Sequence, residues 1–233
     1  QIQSLQENGY DLFHVNLTIE GPTEIEESSF SGDSFITTLV LSSPIDTIGK
    51  HAFLNCKSLK KVTFSDTLTK IDVGAFQSCN SLETVTIPDS VTSLLEFSFS
   101  RCLSLKSATL PSNLNGLKAG IFDRCESLHS IKIPSTAFFI GQDCFNGCSS
   151  LTRIDIPNVK RINDFAFANC TSLQKIKVSD SVQYGRDPFK NCPSLENNPV
   201  KRKTYNGRGG RGRSYKGKRK NDHDDDDDGD DFF

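Results

Sequence analysis

Phe145-Asn146-Gly147-Cys148-Ser149-Ser150-Leu151 decides the fold, because its frame, Phe-x-x-Cys-x-x-Leu, returns along the chain at fixed distances. It occurs as Phe53/Cys56/Leu59, Phe76/Cys79/Leu82, Phe99/Cys102/Leu105, Phe122/Cys125/Leu128, Phe145/Cys148/Leu151, Phe167/Cys170/Leu173 and Phe189/Cys192/Leu195. The step is 23 residues four times and then 22 residues twice. One step upstream, Phe30-x-x-Asp33-x-x-Ile36 holds the same frame and reads as a degenerate eighth unit. Self-similarity at such a period means that one supersecondary unit is stacked repeatedly.

Working outward from the heptapeptide, each unit continues as Leu-x-x-apolar-x-apolar, as in Leu82-x-x-Val85-x-Ile87 and Leu151-x-x-Ile154-x-Ile156. Alternation over about five residues predicts a short strand with one buried face. Two more apolar positions follow three residues apart (Leu68/Ile71, Val91/Leu94, Leu114/Leu117, Val159/Ile162), then a small residue and the next Phe. That last stretch predicts one or two helical turns. One strand per unit of 22–23 residues predicts a leucine-rich-repeat solenoid, α/β in class but β-rich. A parallel sheet would form one face, with short helical turns and irregular structure on the other. Eight coils stacked about 4.8 Å apart would make a rod or shallow arc of roughly 35–40 Å. The expected organisation is an N-terminal cap over residues 1–22, where Phe13, Val15, Leu17 and Ile19 alternate with polar neighbours, then the solenoid over 23–197 and a tail over 198–233.

The run from Ile133-Pro134 through Ile140-Gly141, Cys144-Phe145, Cys148 and Leu151 resembles the BspA-type leucine-rich repeat. The resemblance covers about residues 24–197. It implies a surface-exposed adhesive or interaction protein of the kind found in mucosal bacteria and parasitic protists, hence a cell-surface or secreted location, and it brings no catalytic motif. Ile-Gly recurs only at Ile48-Gly49 and Ile140-Gly141, and Ser98, Ile121, Cys144 and Pro188 stand where the pattern has a small Ala.

The chain has 233 residues with a formal net charge of −2, but the charge is segregated. Residues 201–233 hold 10 of the 27 Lys+Arg and 8 of the 29 Asp+Glu, leaving a mildly acidic body. Basic residues come first: Lys201, Arg202 and Lys203, then Arg208, Arg211 and Arg213 among glycines, then Lys216, Lys218, Arg219 and Lys220. The two clusters have the form of a bipartite nuclear import signal, and the Arg-Gly stretch with Tyr205 and Tyr215 resembles the Arg-Gly-Gly boxes of RNA-binding proteins. Such a composition predicts disorder and salt-sensitive binding of RNA or another polyanion. Asp222, Asp224 to Asp228, Asp230 and Asp231 then form an acidic block. No apolar run approaches the roughly 18 residues of a membrane span. The first residue is Gln and Met is absent, so the expectation is a chain trimmed at its start, as a fragment or a mature form.

Eight Cys invite sharper chemistry. Zinc would need paired Cys or Cys/His ligands at converging spacing, and His14, His51, His129 and His223 share no frame with the Cys. Equivalent Cys on stacked coils have parallel Cβ vectors, which disfavours disulfides. The reading is a column of small buried residues, with Cys144 in the Ala column. Cys125 and His129 are the closest nucleophile–base pair in sequence, but an inward thiol is not activated. No enzyme activity and no cofactor are expected. Two sequons, Asn16-Leu-Thr18 and Asn169-Cys-Thr171, would be glycosylation sites in a secreted chain.

If the apolar strand residues point inward, their neighbours form two outward ladders. One runs Thr38, Lys61, Thr84, Ser107, Ser130, Arg153, Lys175; the other runs Val40, Thr63, Thr86, Thr109, Lys132, Asp155, Lys177. This face has a hydroxyl-rich half and a mainly basic half, suited to a polar or acidic protein partner. The expected function is a non-catalytic, monomeric interaction scaffold. The alternative is a nuclear scaffold whose tail contacts nucleic acid, with a layout similar to the acidic leucine-rich nuclear phosphoproteins. A third class, an inhibitor or adaptor that caps another enzyme, also fits a solenoid.

Overall fold

The computed structural model describes residues 15–200, apart from positions 22, 43, 157 and 197. The chain winds into coils that each contribute two strands. The front strands are β1 (Val15–Ile19), β3 (Ile36–Leu41), β5 (Lys61–Thr63), β7 (Thr84–Thr86), β9 (Ser107–Thr109), β11 (Ser130–Ile131), β13 (Arg153–Ile156) and β15 (Lys175–Val178). Between them lie two-residue back strands: β2 (Glu24–Ile25), β4 (Thr47–Ile48), β6 (Lys70–Ile71), β8 (Ser93–Leu94), β10 (Gly116–Leu117), β12 (Phe139–Ile140), β14 (Arg161–Ile162) and β16 (Gln183–Tyr184). All pairings are parallel, with β1 against β3 at the N-terminal end. Front strands are hydrogen-bonded in three groups (β1-β3-β5, β7-β9-β11, β13-β15), and back strands in two (β2-β4-β6-β8, β10-β12-β14-β16).

Two expectations change. The pair of apolar residues spaced by three ends in a second parallel ladder, so each unit carries two strands rather than one. The stretch around each Phe is a double turn, not a helix. Residues two before the Phe (His51, Phe97, Asp143, Phe165) and two after it (Asn55, Ser78, Arg101, Arg124, Asn169, Asn191) have φ between 52° and 62°, the left-handed region that non-Gly side chains rarely enter. The cause is where the amide hydrogens go. His51, Phe53 and Asn55 donate to Val73, Ala75 and Gln77 of the next coil at 3.0, 2.8 and 2.8 Å. Ala52, Leu54 and Cys56 close local turns onto Gly49, His51 and Phe53. Alternate amides are thus committed between coils, and a helix would have to surrender those bonds.

The core is a set of columns. Phe30, Phe53, Phe76, Phe99, Phe122, Phe145, Phe167 and Phe189 stack ring on ring, at centroid distances from 5.1 to 6.1 Å. Phe30 joins this stack as the degenerate unit predicts, and Asp33 in the Cys position accepts the Phe35 and Ile36 amides at 2.8 Å each. The Leu column from Leu59 to Leu173 is fully buried. At about 25 cal/mol per Å² of apolar surface, no coil buries enough of this surface alone, so the stack is stable only as an array.

Candidate interaction surfaces

On the front, every second strand residue points outward. Lys61, Thr63, Thr84, Thr86, Thr109, Ser130, Lys132, Arg153, Asp155, Lys175 and Lys177 are exposed, and Thr38, Val40 and Ser107 are half-buried. Strand register places them as neighbours: Thr38 beside Lys61, Thr84 beside Ser107, Thr86 beside Thr109, Asp155 beside Lys177. Asn16 and Thr18 of β1 pair with Thr38 and Val40, which accounts for the partial cover there. Arg153 and Asp155 form a two-bond ion pair, Nη2 to Oδ2 at 2.9 Å and Nε to Oδ1 at 3.3 Å, and this contact raises the guanidinium pKa. Among the described residues Lys61, Lys132, Lys175 and Lys177 have no ion-pair partner, so the basic half presents uncompensated charge.

A cleft of about 580 Å³ opens at one edge of this face. Its floor is made where two apolar columns shrink. The first inward strand column reads Leu39, Val62, Val85, Ala108, Ile131, Ile154, Ile176, and the column after the strand reads Leu68, Val91, Leu114, Ala137, Val159. Ala108 and Ala137 lie on neighbouring coils, so the two missing side chains fall together. Leu110, Ile133, Ile156 and Val159 give apolar walls; Asp89, Lys132 and Asn158 give a polar rim. A shallower depression of about 560 Å³ continues over Ser130 and Arg153. Sequence reading passed over this cleft because Ala still counts as apolar in a periodic pattern; a check of residue volume down each column would have found it.

The back sheet holds a second feature that sequence reading missed. Its outward ladder runs Gly116, Phe139, Arg161, Gln183 across β10, β12, β14 and β16. Phe138, just before β12, is exposed and meets Phe139 edge to face at 5.2 Å. Both belong to positions that are polar in most coils, and that break in composition was the available signal.

A profile of the BspA type leucine rich repeat region matches residues 23–152 and 138–205, with six copies. The chain belongs to the BspA-type leucine-rich-repeat family. Among solved structures, this BspA-type chain is similar to the Treponema pallidum leucine-rich repeat protein TpLRR, with 22% identity and TM-score 0.55 over 82% of each chain. It is also similar to a leucine-rich cell surface protein of Faecalibacterium prausnitzii, with 26% identity and TM-score 0.50 over 78% of this chain and 69% of that one. The pneumococcal vaccine antigen PcpA matches at 20% identity and TM-score 0.54, over 77% of this chain and 60% of that one. No curated protein sequence matches the chain. Leucine-rich repeats of this family are in general protein-binding, non-catalytic scaffolds.

The cysteines of the BspA-type coils have a shared structural job. Each Sγ–H donates to the Phe carbonyl of the preceding coil: Cys56 to Phe30, Cys79 to Phe53, Cys102 to Phe76, Cys125 to Phe99, Cys148 to Phe122, Cys170 to Phe145 and Cys192 to Phe167, at 3.0–3.3 Å. All eight Cys are free thiols. Burial pushes Cys56 and Cys102 up to about 12 and Cys125 well above the ordinary thiol range. Cys125 therefore carries no thiolate for attack, and His129 sits apart on the exposed front. Cys144 fills the Ala column as expected and is also buried. At the C-terminal end, the neighbouring Cys192 thiol and burial both raise Cys170, and the same neighbour relation lowers half-buried Cys192. Among the described residues no group of three or more His, Cys, Asp or Glu could hold a metal ion, and no helix is long and apolar enough to cross a membrane.

Asn16 and Asn169 are both exposed. The Asn169 side chain bridges its neighbours, donating from Nδ2 to Asn146 at 2.8 Å and accepting at Oδ1 from Asn191 at 2.9 Å. The basic and acidic tail, Lys201 to Lys220 and Asp222 to Asp231, lies outside the described residues.

Proposed function

We propose that this protein is a cell-surface or secreted binding scaffold that engages a protein partner through the front sheet, centred on the cleft beside Lys132. The observation that carries this reading is the cleft itself. It is an apolar recess among exposed hydroxyl and lysine side chains, where a partner's aliphatic or aromatic side chain can anchor while its carboxylates meet Lys132, Lys175 and Lys177. The Faecalibacterium relative, described as a cell surface protein, supports the location.

The test compares proteins captured by the full chain with those captured by an Ala137→Leu variant and by a Lys132→Glu variant. Genuine front-face partners are depleted at least about tenfold by either change, the loss of about 1.4 kcal/mol that one anchor contact represents. Equal capture by all three chains overturns the reading. The tail supports a second reading, a nuclear scaffold with RNA or polyanion contacts through Lys201 to Lys220. Localising the tagged full chain beside a version ending at Val200 separates the two: nuclear signal lost on truncation favours the tail, and surface signal in both favours the sheet.

A further inference from the structure

The ridge on the back sheet is the most exposed apolar feature among the described residues: Phe138 is 52% exposed. It is held in place by the coil before it. Gly116 is the ladder neighbour of Phe139, and a Cβ there would lie 2.3 Å from the Phe139 ring, so only glycine lets that ring lie across the ladder. On the other side, Lys160 donates its amide to the Phe138 carbonyl at 2.7 Å, and Arg161 stands beside Phe139 in register. Lys160 and Arg161 are exposed and have no ion-pair partner among the described residues. A groove of about 460 Å³ runs between the two rings and these cations, closed by Ser181 and Gln183.

An aromatic wall facing two uncompensated cations fits an acidic peptide that also carries aromatic side chains. The chain contains such a segment: Asp222, Asp224 to Asp228, Asp230 and Asp231, followed directly by Phe232 and Phe233. We propose that this segment docks in the back groove, with carboxylates on Lys160 and Arg161 and a phenyl ring against Phe138. Reach does not limit it. Residues 201–221 can span up to about 70 Å, while Phe139 lies only two strand spacings, about 10 Å, from β16. Exposed ion pairs contribute little individually, but a tethered segment competes at an effective concentration on the order of millimolar. Docking also draws the Asp run away from Lys216 to Lys220, leaving the basic stretch free to bind a polyanion while the front sheet stays open.

The chain has no Trp, so Phe233→Trp in the full chain supplies a single fluorescent reporter. At low salt its emission is expected to be blue-shifted and its acrylamide quenching reduced about threefold, a bound fraction that tethering at this effective concentration can supply. Raising salt to about 0.5 M should remove the protection. Phe138→Ser, and separately Lys160→Glu with Arg161→Glu, should expose the reporter. These are surface positions, so far-UV circular dichroism should be unchanged. Replacing Lys216, Lys218, Arg219 and Lys220 with Gln should leave the protection in place. A reporter already exposed at low salt overturns the proposal. So does protection that survives the back-groove variants but is lost in the Gln variant, since the Asp run would then pair with its own basic neighbour. Protection that grows with protein concentration overturns the intramolecular docking in favour of a second copy.

Discussion

The turn side of the coil and its two sheets are built on opposite principles. On the turn side seven units repeat the same three residues: the rings stack at 5.1 to 6.1 Å, each thiol of the column bonds the preceding coil's carbonyl, and the Leu column is sealed. On the sheets the residues change from coil to coil. Ala108 and Ala137 hollow one edge, Gly116 makes room for Phe139, and Lys160 and Arg161, beside Phe138, have no ion-pair partner among the described residues. The repeated side holds the array together, and the varied sides carry what distinguishes this solenoid from another of the same length.

The sharpest way to break that contrast is to remove a ring from each side. Phe122→Ala should lower the unfolding free energy by about 3–5 kcal/mol, because a fully buried side chain and both its stacking partners are lost. Phe138→Ala should change it by less than about 0.5 kcal/mol. Urea unfolding monitored by circular dichroism reads both, and comparable losses would end the distinction. The thiol column predicts a second effect, in pH. Unfolded thiols ionise near the ordinary value of 9.0, whereas folded Cys56 and Cys102 keep their protons to about 12. Between these values the native state binds more protons than the unfolded chain, so stability is full below about pH 8 and falls as pH rises. Each such thiol contributes a slope of about 1.4 kcal/mol per pH unit. Urea midpoints from pH 8 to 10.5 should fall steeply, and Cys102→Ala should flatten the curve by one thiol's share. The smallest effect sharpens the comparison from within the repeated side. Ser98 replaces the small Ala, and its hydroxyl is fully buried with no hydrogen-bond partner among the described residues. Ser98→Ala should therefore stabilise the protein by about 1 kcal/mol, read as a rise in Tm.

The spine was legible because its residues recur at one spacing. Phe30, with Asp33 in place of Cys, was already recognisable as a unit, and it caps the ring stack. The outward ladder from Lys61 to Lys177 was legible because strand alternation needs only a period of two. The turn around each Phe was misread as helical. Ala-Phe followed by polar residues suits a helix locally, and what forbids one is the hydrogen bonding of alternate amides to the next coil, a contact some 22 residues away. The widest step in the ring stack, Phe99 to Phe122 at 6.1 Å, coincides with Ile121 in the small column. That substitution was visible in the sequence, but its consequence was not.

By itself the sequence determined the repeat, the inward columns, the buried thiols and the polar front face, because each follows from a residue's position within one 22–23-residue coil. Only the tertiary structure decided which residues of different coils become neighbours. Ala108 and Ala137 are 29 positions apart and share one cleft; Gly116, Phe139 and Arg161 are 22 or 23 apart and share one ladder. Such adjacency depends on the register between coils and on the local gap left by a small side chain. Both are set when backbone hydrogen bonds and packing close together, after the periodic pattern has already said all it can.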